Sequence, residues 1–301
     1  MKKVDNHQIF LFELSTFNVL LHTGIFFLAK ALYNKTMIRK AKAQDLIAIQ
    51  ELCHQDSSRL LFIDGDIEQN GLETPYQDTW IDVDQDGLRG IFLRYHTNLV
   101  FYFKKPCLDI KGFEALFDER IKMISACKAH IEMMPSSVKD RFQFRSMYFC
   151  ECDTLTPQDI KIETIKASMK DVEGIIDSMS QIIEFEASNV HESKEERVQS
   201  LKERYELGKV HGFILKDNDK VIAHATTGVE TESAVMVGGV FTLPEYRTKG
   251  YGRAVVTALT EYALSKGQKP CLFYDNPQAG KIYHDLGYKT FDMWCLGSLK
   301  P

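Results

Sequence analysis

Arg247, Lys249 and Arg253 are interleaved with two glycines, Gly250 and Gly252, in the run Val240-Phe241-Thr242-Leu243-Pro244-Glu245-Tyr246-Arg247-Thr248-Lys249-Gly250-Tyr251-Gly252-Arg253. A short apolar strand leads into the run, a Pro-containing turn follows, and apolar residues at helical spacing come after it. Cations beside the N–H groups of a first helical turn form a receptor for phosphate oxygens, and glycines let the ligand reach the main chain. The run lacks the third glycine of a dinucleotide fingerprint, because Val255 stands there, and it lacks the Gly-Lys-Ser/Thr of a nucleotide-triphosphate loop. By itself it specifies an anion, not which one.

The elements around the run must present it. His211–Lys216, Val221–Val229 and Ala234–Thr242 read as an antiparallel meander with turns at Asp217-Asn218-Asp219 and Thr231-Glu232-Ser233. From Tyr251, the residues Ala254, Val255, Ala258, Leu259, Tyr262 and Ala263 make one apolar helical stripe that Gly267 stops. Cys271–Tyr274 is a short buried strand. Ala279, Ile282, Tyr283 and Leu286 mark a second helix ending at Gly287, and Tyr288–Leu296 a last strand. Upstream, Ile160–Ile165 alternates as a strand, and Val172, Ile175, Ile176, Met179 and Ile183 share a helix face. The charged stretch Glu184–Arg204 reads as a solvated helix, with Glu186, His191 and Glu192 near a substrate's approach.

The first half has a comparable order of elements without the basic loop. Ile38–Ala41 is a strand. Asp45 caps a helix bearing Leu46, Ile49, Leu52 and Cys53, Leu60–Ile63 is an apolar run, and Asp64–Asp78 is polar and turn-rich. Trp80–Val83, Leu88–Tyr95 and Leu99–Phe103 read as strands, and Phe113–Met134 as one or two helices. Asp82-Val83-Asp84-Gln85-Asp86-Gly87 imitates a calcium loop, but its twelfth position is Leu93 and its flanks are strands, so a hairpin turn is expected.

At 301 residues, with 44% hydrophobic and 26% charged residues, the chain fits two soluble domains. A net charge of −5 argues against a general nucleic-acid binder. The seven cysteines are scattered, Cys150-Glu151-Cys152 is too closely spaced for a redox or zinc motif, and reduced thiols in a cytoplasmic protein with no metal are expected. Residues 1–36 are apolar but broken by Glu13, Asn18, His22 and Lys30. They read as a segment preceding a start at Met37, as a docking helix, or as a signal or membrane segment, in that order. No membrane partner is expected, and a homodimer is allowed.

Downstream of the basic run stands Asn276-x-x-Ala279-x-x-x-Tyr283-x-x-x-Gly287-Tyr288. The two stretches together resemble the Gcn5-related N-acetyltransferase (GNAT) superfamily. The resemblance covers about the last ninety residues, and the order of elements extends it back to Ile160. It implies an α+β fold with a mixed, mostly antiparallel sheet flanked by helices. The expected organisation is tandem: an extension (1–36), a degenerate GNAT-like domain (37–156) and an acetyltransferase domain (157–301). It implies acetyl-CoA as acyl donor. Gly239, Val240, Phe241 and Thr242 would meet the pantetheine arm. Arg247, Thr248, Lys249, Gly250, Tyr251, Gly252 and Arg253 would hold the pyrophosphate, and Asn276 and Ala279 would border the arm. Tyr283 takes the position of the tyrosine that protonates the departing thiolate. The implied reaction is direct attack by a small-molecule or peptide amine on the thioester. Many members carry a Glu inside the strand before the loop, where this chain has Ala234, Met236 and Gly238. Glu230, Glu232 and His224 are therefore the nearest candidate bases. The alternative reading is a non-catalytic acyl-CoA-binding module with a regulatory or assembly role.

Overall fold

A computed structural model describes residues 37–183, 185 and 193–300. The segment 1–36 and the positions Glu186, His191 and Glu192 lie outside the described residues. The first half contributes β1 (Met37–Lys40), α1 (Leu46–Gln55), α2 (Ser57–Asn70), β2 (Glu73–Thr74), β3 (Gln77–Asp84), β4 (Gly87–Tyr95) and β5 (Asn98–Phe103). It continues with α3 (Ile110–Glu114), β6 (Met123–Cys127), α4 (Lys128–Glu132), α5 (Ser136–Lys139) and β7 (Phe142–Glu151). The second half contributes β8 (Ile165–Lys166), α6 (Val172–Met179), α7 (Lys194–Glu206), β9 (Gly212–Asp217), β10 (Lys220–Glu230) and β11 (Ala234–Thr242). It ends with α8 (Tyr251–Ser265), β12 (Lys269–Tyr274), α9 (Pro277–Asp285) and β13 (Lys289–Leu299).

These strands form a single sheet in the order β1-β3-β4-β5-β6-β13-β7-β12-β11-β10-β9-β8, with β2 paired to β3. The order is palindromic by role. Each half has a first strand, a meander of three, one parallel pair (β5 with β6, β11 with β12) and a last strand. The last strands are exchanged: β13 pairs with β6, β7 pairs with β12, and β7 and β13 pair with each other at the centre. The two halves are thus fastened through a shared ladder of main-chain bonds.

Helix α2 is packed between the halves. One apolar cluster joins its Leu60, Leu61, Ile63 and Ile67 to Ile81, Ile91 and Leu93 of the first half and to Ala234, Met236 and Cys271 of the second. Phe62 on the same helix stacks on Phe273, centroids 5.9 Å apart, and leans on Trp294 at 5.2 Å. A second cluster packs α8 and α9 onto β9–β12, and a third packs α3 and α4 onto the first half's strands.

The expected fold class is the one found. Several elements differ from the sequence reading. Leu60–Asn70, read as an apolar run entering turns, belongs to α2, whose buried Asp64 and Gly65 hide its periodicity. Ile160–Ile165 forms no strand apart from its last residue in β8. Met123–Cys127, read as helical, is strand β6, because pairing to β5 and β13 outweighs local preference. The calcium-like segment is the β3–β4 hairpin, as expected. Asp84 accepts from the Asp86 N–H at 2.8 Å, and Arg89 engages both Asp82 and Asp84. No described helix is long and apolar enough to cross a membrane.

Candidate active site

Strands β11 and β12 pair only from Ala234–Met236 to Lys269–Cys271. Beyond Met236 no ladder joins them, so a wedge opens toward their C-terminal ends, as it does past Val100 between β5 and β6. On its other side β11 pairs with β10 through His224↔Phe241 and Thr226↔Gly238. Two residues, Gly239 and Val240, therefore stand opposite one, Ala225. That is a β-bulge, with Gly239 at φ +56°, a conformation glycine adopts without strain. The Gly239 carbonyl lies 2.7 Å from Nδ1 of His224.

Thr242 continues into the loop, and its carbonyl accepts from Arg247 Nε at 3.1 Å. Pro244–Tyr246 form a 3-10 turn, and Lys249 Nζ sits 5.3 Å from the centre of the Tyr246 ring. Thr248 (φ 67°) and Gly250 (φ 84°) are both left-handed, so the chain reverses twice before α8 begins at Tyr251. Alternation of this kind gathers successive N–H groups into a concave anion nest at the helix N-terminus. A Cβ on Gly252 would stand 3.1 Å from Thr242 Oγ1, so the first turn of α8 lies close to the end of β11. Arg253, expected in the same cradle, is held elsewhere. Its guanidinium donates to Gln158 at 2.8 Å and to Asp285 at 2.7 Å, which ties α8 to α9 and the linker.

Across the wedge, Asn276 caps α9, its Oδ1 accepting from the Gln278 N–H at 2.9 Å. Ala279 packs against the second-half core. Tyr283 is 7% exposed, and burial pushes its hydroxyl up to about 12, so it holds its proton at neutral pH. Tyr274 borders it, ring centroids 5.8 Å apart, and packs over Gly280. The Tyr274 hydroxyl is 2.9 Å from His284 Nε2, while His284 Nδ1 is 3.0 Å from the Tyr288 carbonyl. A nitrogen facing a carbonyl donates, so in the neutral imidazole Nε2 accepts from the Tyr274 hydroxyl. Neither Tyr274 nor His284 is singled out by the sequence motif. The Tyr148 ring, on β7 of the first half, stacks on Tyr274 at 5.0 Å.

The candidate bases are not brought to the wedge. Glu230 pairs across to Val235, three residues or about 10 Å along the strand from Gly238. Its Oε2 lies 3.9 Å from His211 Nε2. Glu232 lies on the turn below, near Asp64 and Glu68 of α2, and its own main chain donates to Glu68. His224 is 1% exposed, and burial holds its imidazole neutral at about 4. Its protonated nitrogen is the one facing Gly239. Sequence proximity to β11 suggested all three; the direction of the strands separates the two glutamates from the opening, while His224 lies beside the bulge with its protonated nitrogen engaged by the Gly239 carbonyl.

Residues 176–288 match the family model described as the Acetyltransferase (GNAT) family. This part of the chain is a GNAT domain. No curated protein matches the sequence. Among solved structures, an acetyltransferase from the GNAT family of Colwellia psychrerythraea aligns at a TM-score of 0.54 and 15% identity, over 88% of this chain and 100% of that one. A GCN5-related N-acetyltransferase-like protein of Streptococcus suis aligns at 0.53 and 14%, over 86% and 100%. A tandem GNAT protein from the clavulanic acid biosynthesis pathway aligns at 0.53 and 11%, over 89% and 99%. At these identities the likeness is one of fold, and it extends beyond the GNAT domain across most of the chain.

Proposed function

We propose that the second half binds acetyl-CoA and transfers its acetyl group to an amine. The observation that carries this reading is the bulge at Gly239–Val240 on the splayed edge of β11, followed at once by the nest from Arg247 to Gly252, with the buried, protonated Tyr283 on the helix that follows the facing strand β12. The nest and the positive charge of Arg247 and Lys249 suit a pyrophosphate. The unladdered edge of β11 suits an extended amide-bearing arm, because its main-chain groups past Met236 lack a partner strand on the β12 side. On this reading Tyr283 gives a proton to the sulfur leaving beside α9, and its raised value keeps that proton available.

The acyl chemistry is that of a thioester attacked directly by a neutral amine. Main-chain N–H groups at the bulge stabilise oxyanion charge, and the wedge aligns amine and carbonyl. With Glu230 and Glu232 at the foot of β11 and His224 engaged by the Gly239 carbonyl, no protein group is assigned as base among the described residues. An amine already neutral at working pH, or one relayed through water, fits this arrangement. Residues 37–156 are, in the same proposal, a degenerate GNAT-like unit and 157–301 the catalytic one. Free-thiol release from acetyl-CoA across a panel of small and peptide amines tests the reading. Turnover above the amine-free rate supports it. CoA binding without turnover for any amine supports a non-catalytic binding module instead.

A further inference from the structure

His224 is a buried histidine that the proposed reaction does not use, and its position relative to one peptide unit gives it a role. The peptide between Gly239 and Val240 is planar and trans, so its C=O and N–H point in opposite directions. The carbonyl end faces His224 Nδ1 at 2.7 Å. The N–H end, that of Val240, must then point away from the imidazole. β10, which carries His224, lies on one side of β11, and the wedge lies on the other. Neither Gly239 nor Val240 has a ladder partner on β10, and the pairing with β12 stops at Met236.

The surroundings hold the ring in place. A Cβ on Gly239 would stand 3.2 Å from His224 Cε1 and 3.0 Å from Thr226 Cγ2, so the bulge sits directly on the imidazole. The Phe241 ring contacts the imidazole at 5.5 Å. A nitrogen facing a carbonyl oxygen carries the proton, so the ring is the Nδ1–H tautomer. Donation into the carbonyl also polarises the peptide and strengthens its N–H as a donor.

We infer that His224 is a positioning residue: its Nδ1–H clamps the Gly239 carbonyl and thereby aims the Val240 N–H into the wedge as a fixed donor to the acyl-CoA thioester or its arm. The inference rests on the acetyl-CoA reading for its ligand, while the clamp itself concerns this chain alone. Without the clamp, the peptide can rotate toward a regular ladder and the donor turns out of the wedge.

Two measurements test it. In long-range 1H–15N spectra of the wild-type protein, His224 should show the Nδ1–H tautomer, and an Nε2–H tautomer overturns the clamp whatever the ligand. In kinetics, His224→Leu removes the donor and retains an apolar side chain, whereas His224→Asn keeps an N–H. The leucine variant, assayed below its thermal midpoint, should lose about tenfold or more in kcat/KM, accompanied by a shift of the Val240 amide resonance. The asparagine variant should recover part of that loss. Equal kcat/KM in wild type and the leucine variant overturns the positioning role. If the leucine variant does not fold, the asparagine variant and the tautomer decide. A wild-type protein showing the Nδ1–H tautomer but no acetyl-CoA binding would instead count against the ligand assignment.

Discussion

The molecule contains the same wedge twice, once open and once closed. In the second half, β11 leaves β12 after Met236, bulges at Gly239 and runs into a glycine-bearing loop and a 15-residue helix. In the first half, β5 leaves β6 after Val100, and Phe103 stands five residues beyond the start of the strand, as Gly239 does in β11. There the Phe103 N–H donates to Nδ1 of His130, on the helix that follows β6. Phe113, fully buried on the five-residue α3, packs against Phe92, Phe101, Phe103 and Phe117 where the other half has its long helix. The lesson concerns what a parallel pair that splays needs in order to be a site. Unpaired main-chain groups must be satisfied by something; in the first half a histidine accepts the Phe103 N–H, and phenylalanines fill the space a ligand would need.

The sharpest way to break this contrast is at the loop that only the open wedge has. Gly250→Asp puts a Cβ at φ 84° and sets a carboxylate beside the nest. Like charge against pyrophosphate should weaken acetyl-CoA binding by about a hundredfold or more, read by titration calorimetry. Unchanged affinity would remove the loop from the site. Next in size, Tyr283→Phe should lower kcat by about a hundredfold while changing CoA affinity little, since the hydroxyl is needed as an acid and the ring remains to pack. An equal loss of both would make Tyr283 a packing residue.

Much of the open wedge was legible in the sequence because its parts are local. The glycines, cations and apolar stripe from Val240 to Ala263 sit within one strand–loop–helix unit, and the Asn276–Tyr288 motif within the next. What was not legible depends on distant partners. Arg253 reads as a phosphate ligand until Asp285, 32 residues away, takes its guanidinium. Glu230 and Glu232 read as bases by adjacency, yet strand geometry puts them at the foot of β11. Strand β7 went unread because Phe142–Glu151 has mixed burial, its partners being β12 and β13 of the other half. The strand exchange that brings Tyr148 to Tyr274 could not be read from any local pattern.

A third prediction addresses the closed wedge. His130→Ala leaves the Phe103 N–H without an acceptor and opens space beneath Tyr102, whose ring lies 4.4 Å from the imidazole. Stability should fall by about 2–3 kcal/mol in urea unfolding. The chain should still bind one acetyl-CoA with unchanged affinity, because the closed wedge lacks a phosphate loop. A second bound equivalent in the wild type would show that the first half is also a site.

The smallest effect tests whether the closing histidine is neutral. Burial, reinforced by the nearby Arg59, lowers His130 from its ordinary 6.5 to about 4. The unfolded chain then takes up the proton first as pH falls. His130 therefore contributes stability that is fully present above pH 6.5 and is lost as pH drops toward about 4. His224 acts in the same direction for the same reason. Asp66, pushed up to about 6 by burial, acts in the opposite one, its contribution present at low pH and lost as pH rises through about 6. The total slope is therefore a difference of opposing groups, and only a comparison isolates one of them. Between pH 6.5 and 4, His130→Gln should show a shallower decline than the wild type, by up to about 1.4 kcal/mol per pH unit. Parallel declines would mean that the imidazole is not held neutral in the folded chain, and the first wedge would then be closed by its phenylalanines alone.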